Sequence, residues 1–240
     1  MAAPSSWDDL PRRLPARLWL ATIACFLVVY YLMFSWVHIW ADLRPCLAPL
    51  RDPVLARIPY DPRWFELTGR GWALVTLGVG LGGVVLHARR YGDHRPAIRW
   101  GIALTIMALL RSLTILLIPA CRADLAPGTM PLCSVPMVHL GPLAIPWHIS
   151  ASNDLVFSGH IAELVLLLLA TRSWPRPLRA GLWLFTAVMA YALMATRGHY
   201  FWDILAALPC AWLADRLALA ALRLPLARRP DADLELSTTY

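Results

Sequence analysis

Leu164-Val165-Leu166-Leu167-Leu168-Leu169, which follows Ser158-Gly159-His160-Ile161-Ala162-Glu163, decides the fold. A membrane-spanning strand alternates polar and apolar residues, whereas this run is apolar throughout, so a helix is the form that satisfies its backbone groups in lipid. Working outward, comparable runs lie at roughly 17–40, 71–87, 98–120, 155–171, 178–196 and 201–222. Each is close to the ~20 residues a helix needs to cross the hydrocarbon core. The reading is an all-α polytopic membrane protein with six transmembrane helices, in one membrane domain over residues 1–224 followed by a flexible tail over 225–240.

Composition agrees. With 59% hydrophobic residues in a chain of 240, the apolar content exceeds what one soluble core of this size buries. The net charge of +7 is carried by arginines grouped in short segments between apolar runs, not along one amphipathic face. They argue for topology signals and anionic-lipid contacts, and against nucleic acid as a partner. The first run follows Arg12, Arg13 and Arg17, exceeds a signal-peptide core in length and has no small-residue cleavage site after it, so it reads as a retained anchor. Pro209 in the last run permits a kink, and Gly78, Gly80, Gly82 and Gly83 in the second permit close helix approach.

With six spans, the clusters Arg12/Arg13/Arg17, Arg89/Arg90/Arg95/Arg99, Arg172/Arg176/Arg179 and Arg223/Arg228/Arg229 share one face. The positive-inside rule makes that face cytoplasmic, with both termini on it, and leaves His160 and His199 on the extracytoplasmic or lumenal face. The first loop, with Arg44, Arg51, Arg57, Arg63 and Arg70, argues the other way but also carries Asp42, Asp52, Asp61 and Glu66. Cys25 and Cys210 read as packing residues, and Cys46, Cys121 and Cys133 face the oxidising side, where a Cys121–Cys133 bridge and free thiols both fit. The cysteine spacing matches no zinc site, and no metal or cofactor is expected.

The polar residues at the edges of the apolar runs carry the chemistry, since ionisable groups there default to function. His199 and Asp203 are four residues apart on one face of a helix start, so the carboxylate can hold Nδ1–H and leave Nε2 as a nucleophilic lone pair. That suits attack on phosphorus. His160 opens the fourth run after Ser158-Gly159, where glycine permits close backbone approach and helix-start N–H groups favour a phosphate oxyanion. It is placed to protonate a leaving oxygen. His38, His87, His94 and His139 are read as ordinary interfacial histidines.

Asn153-Asp154-Leu155-Val156-Phe157-Ser158-Gly159-His160 and His199-Tyr200-Phe201-Trp202-Asp203-Ile204-Leu205-Ala206-Ala207 resemble the two signature segments of the sphingomyelin synthase family, within the type 2 phosphatidic acid phosphatase superfamily. Leu110-Arg111-Ser112-Leu113-Thr114-Ile115 is similar to that family's arginine-containing third-span segment. The resemblance implies that His199 is the nucleophile, Asp203 its orienting carboxylate and His160 the general acid and then base. Asp154 matches a family acid near the centre or is the N-cap of the fourth helix. Ser158, Gly159 and Tyr200 fall in the substrate-binding segments. Arg111 and Arg197 are either phosphate contacts or side chains that snorkel or pair with Glu163.

The implied partners are a phospholipid donor and a lipid alcohol acceptor. The implied activity is transfer of phosphocholine, phosphoethanolamine or a similar headgroup to ceramide or another lipid alcohol through a phosphohistidine. A lipid-phosphate phosphatase and a non-enzymatic lipid-binding or transport protein are the alternatives. Departures bear on the choice. The phosphatases' Lys-x6-Arg-Pro has no good match, since Arg89 and Arg95-Pro96 have the wrong spacing, and Ala192-Leu193 stands where a Ser-Arg pair is expected. Within the synthase-like pattern, Ser152-Asn153 replaces Cys-Gly, Ile161 replaces Thr, and Glu163 is an uncommon intramembrane carboxylate.

Overall fold

A computed structural model describes residues 16–32, 36–37, 51–118, 137–140, 143–146 and 156–227. The fold is helical. The helices are α1 (Ala16–Leu32), α2 (Pro62–Tyr91), α3 (Arg95–Leu117), α4 (Gly159–Ala170), α5 (Arg176–Ala195) and α6 (Phe201–Ala227). A two-stranded antiparallel hairpin, β1 (Met137–Leu140) and β2 (Leu143–Pro146), is the exception, with Met137 opposite Pro146 and Leu140 opposite Leu143.

Four helices are long and apolar enough to cross a bilayer: Pro62–Tyr91, Arg95–Leu117, Arg176–Ala195 and Phe201–Leu222. Their apolar content marks an integral membrane protein. The expected count of six is not reached by this measure, because α1 has 17 described residues and α4 has 12. In α4 the reason is local. Ser158 leaves helical geometry and its hydroxyl accepts the Ile161 N–H at 3.4 Å, so the helix starts four residues later than the apolar run. At a 1.5 Å rise, His160 then stands only roughly 15–18 Å from the far end of α4, well short of a ~30 Å hydrocarbon core. The second helix departs the other way, beginning at Pro62 instead of Gly71 because Asp61 accepts the Arg63 N–H at 3.0 Å and Pro62 is preset for a first turn. The last helix runs unbroken through Pro209 and three residues past the expected domain boundary at Leu224.

All six helices alternate in direction. Trp19 packs on His94 and the Thr22 methyl on Gly101, so α1 runs parallel to α3. Asp215 of α6 pairs with Arg99 near the start of α3, while Asp203 bonds to Ser158, whose neighbour Gly159 meets Arg111 further along α3, so α6 is antiparallel to it. Small residues let the helices close. Ala207, Ala211, Ala214 and Ala218 form a buried stripe on α6, and a Cβ on Gly80 or Gly83 would collide with Trp100 or Trp174. Gly78 and Gly82 make no comparable close contact. Large apolar side chains such as Leu20, Leu74, Leu77, Leu184 and Trp212 point outward, as lipid-facing residues do.

The two ends of the bundle differ in chemistry. One end gathers Asp93, Arg95, Arg99 and Arg172. There Arg99 makes a buried two-pronged pair with Asp215 at 2.5 and 2.8 Å, and burial pushes the Asp93 carboxyl up while hydrogen bonds from Arg95 outweigh it and hold the group below the usual carboxylate range. The other end holds His160 and His199.

Candidate active site

The connection between α5 and α6 sets the position of His199. Helix α5 closes with the N–H groups of Arg197 and Gly198 donating to Met194 and Leu193 carbonyls at 3.0 and 2.9 Å. Arg197 sits at φ 57°, a left-handed conformation uncommon for arginine. Its side chain offsets that strain by donating to the carbonyls of Leu55 and Ile58 at 2.6 and 2.9 Å. The tight turn delivers His199 to the head of α6.

At that head the i to i+4 spacing does what it promises. Asp203 Oδ2 lies 3.3 Å from His199 Nδ1 and accepts the Tyr200 N–H at 2.8 Å, so one carboxylate both caps the helix and orients the imidazole. Asp203 is 2% exposed, His199 5% and Tyr200 1%, so water competes little for these bonds. The Asp203 carbonyl accepts the Ser158 N–H at 3.0 Å, which ties the start of α4 to the first turn of α6. His160, two residues on, is thereby brought to a ring-centroid distance of 6.2 Å from His199 with the planes inclined at 71°.

Arg111, buried on α3, reaches the same layer. A Cβ on Gly159 would fall inside the Arg111 guanidinium, which explains why glycine stands between Ser158 and His160. Glu163, one turn along α4 from His160, accepts a hydrogen bond from Tyr30 Oη of α1 and lies within electrostatic reach of Arg111. A polar seam therefore joins α1, α3 and α4 beneath the histidines.

The structure thus brings Ser158, Gly159, His160, His199, Tyr200, Asp203 and Arg111 together. Arg197 is adjacent in sequence, and its guanidinium donates to the backbone carbonyls of Leu55 and Ile58, an arrangement distinct from both the phosphate contact and the Glu163 pairing that the sequence left open. Asp154 lies outside the described residues, as do Cys46, Cys121 and Cys133. Among the described residues, no group of three or more His, Cys, Asp or Glu is arranged to hold a metal.

Asp52 was missed from sequence. Its Oδ1 accepts the N–H groups of Val54 and Leu55 at 2.9 Å each, and its Oδ2 accepts the N–H of Phe201 at 2.6 Å. A residue in the first loop therefore caps the helix that bears Asp203, and the negative charge suits that helix N-terminus. The Asp61 N–H adds a bond to the Ala195 carbonyl at 3.0 Å. Asp52 followed by Pro53 is a turn signal, but nothing local points to Phe201 as its partner.

A family model described as "PAP2 superfamily C-terminal" matches residues 152–214, which include both histidines and Asp203. The match supports the type 2 phosphatidic acid phosphatase superfamily, whose membership fits phosphatase or phosphotransferase activity on lipids. No curated protein matches the chain.

Proposed function

We propose that the protein is a lipid phospho-headgroup transferase of sphingomyelin-synthase type. The observation that carries this reading is the pair of histidines, His199 buried and His160 half-buried, 6.2 Å apart by ring centroid, with Asp203 at 3.3 Å behind His199. A near-attack N···P distance of about 3–3.5 Å and a proton transfer over about 2.6–3.2 Å leave room for one phosphorus centre between two rings so spaced.

His199 Nε2 attacks the phosphorus of a phospholipid. The bond from phosphorus to the glycerol oxygen breaks, and that oxygen takes the proton of protonated His160, releasing diacylglycerol. The headgroup phosphate remains on His199. In the second step His160 takes the hydroxyl proton of a lipid alcohol such as ceramide, the alkoxide attacks phosphorus, and the N–P bond breaks. Asp203 stabilises the His199 imidazolium and fixes its tautomer. Arg111, seated on Gly159, faces the phosphate charge.

The phosphatase alternative differs in its charge requirement. A phosphomonoester carries more charge than the single negative charge of a phosphodiester, and the segments that supply extra cations in phosphatases have no good match here. With Arg197 turned onto carbonyls, the arginines contributed by the motif segments reduce further. In the membrane we place both termini on the cytoplasmic side and the histidines of the site on the extracytoplasmic side, as the positive-inside reading of the arginine clusters favours.

Purified protein should consume phosphatidylcholine or phosphatidylethanolamine, release diacylglycerol and pass the headgroup to ceramide or another lipid alcohol, with slower release to water when no alcohol is supplied. Mass spectrometry of the lipids reads both products. Faster release of inorganic phosphate from phosphatidic acid than any use of a diester would favour the phosphatase, and no turnover of either would favour a lipid-binding role.

A further inference from the structure

Trp72 lies on α2, in a part of the chain with no recognisable motif. Its indole packs edge-on against His160, with ring centroids 4.8 Å apart and planes inclined at 65°. The indole Nε1–H is buried and has no acceptor among the described residues. An indole nitrogen can only donate, and a buried donor left unsatisfied is unfavourable, so its persistence beside the general acid calls for an acceptor that arrives from outside. The backbone around it is also unusual. Leu67–Gly71 and Leu74–Gly82 are wound as π-helix on either side of Trp72, a winding that is rare and occurs frequently at functional sites.

Two other buried indoles lack acceptors, Trp100 and Trp174, but they pack against Gly80 and Gly83, further along α2 and away from the histidines. Trp72 alone of the three has an imidazole of the candidate site against its ring.

We propose that Trp72 is a substrate-contacting residue whose Nε1–H donates to a phosphate oxygen of the lipid phosphodiester held between His160 and His199. The inference rests on the lipid-phosphoryl reading of the site and adds to it a neutral donor from a helix outside both motif segments. A neutral donor also fits a singly charged diester, which needs hydrogen bonds more than further cations.

The test uses the full-length protein, purified in detergent and assayed with phosphatidylcholine. Trp72→Phe keeps an aromatic ring against His160 and removes the donor, and replacement of Trp72 by 3-benzothienylalanine keeps the bicycle and exchanges N–H for sulfur. Both should lower kcat/KM by ~10- to 100-fold, the range for losing one hydrogen bond to a charged group, while the melting midpoint without substrate stays level or rises. Unchanged kcat/KM in either folded variant, beside an active wild type, overturns the inference and leaves the function standing. A lower substrate-free midpoint in the benzothienyl protein together with the lost activity assigns Trp72 to packing and also overturns it. If the wild type itself turns over no phospholipid, the reading of the site fails first and the inference with it.

Discussion

Alanine in place of His199 is expected to lower turnover by roughly 10^4-fold or more, because in the proposed mechanism its Nε2 forms the bond to phosphorus. His160→Ala should cost about 10^2- to 10^4-fold, the range for losing a positioned general acid and base, with a deeper loss for donors whose leaving alkoxide is more basic. Asp203→Asn keeps the side chain's shape and its bond from the Tyr200 N–H, but removes the charge that faces Nδ1 of His199, so it too should lose orders of magnitude in kcat. Insertion and folding of His199→Ala and His160→Ala should be unimpaired, as read by detergent-solubilised yield and melting midpoint. Near-normal activity in either would rule the mechanism out.

A second large effect is expected at Gly159. The space of a Cβ there is filled by the Arg111 guanidinium, so Gly159→Ala must either push Arg111 away from the histidines or shift the head of α4. Overpacking of this kind costs typically ~1–3 kcal/mol in stability, and loss of a cation aimed at the phosphate lowers kcat by about 10^2-fold or more. The double-mutant cycle decides the cause. If Gly159 serves to seat Arg111, Gly159→Ala should have little further effect in an Arg111→Ala background, whereas additive losses would show that the two act separately.

Much of this was legible in the chain because it is local. Apolar length located a helix in each of the six expected places, and a four-residue spacing put Asp203 behind His199. The Ser158-Gly159-His160 segment opened a helix as read. What escaped the sequence is contact between distant segments. Asp52 bonds to Phe201, and Arg197 to Leu55 and Ile58, across separations of 149, 142 and 139 residues, and such pairings leave no periodic trace. The early start of α2 escaped because apolar counting ignores a capping Asp61 followed by Pro62, and the short α4 because it ignores the stop that Ser158 imposes. The strong winding anomaly around Trp72 likewise has no counterpart in composition.

The direct test of the central claim is capture of the intermediate. Wild-type protein mixed with phosphatidylcholine in the absence of any alcohol acceptor, quenched under alkaline conditions within one turnover and digested, should yield the His199 peptide carrying phosphocholine in step with diacylglycerol release. Adding ceramide before the quench should discharge it. A His199 peptide that carries only bare phosphate, formed from phosphatidic acid and not from phosphatidylcholine, or continued headgroup transfer with no adduct on His199, would contradict the account.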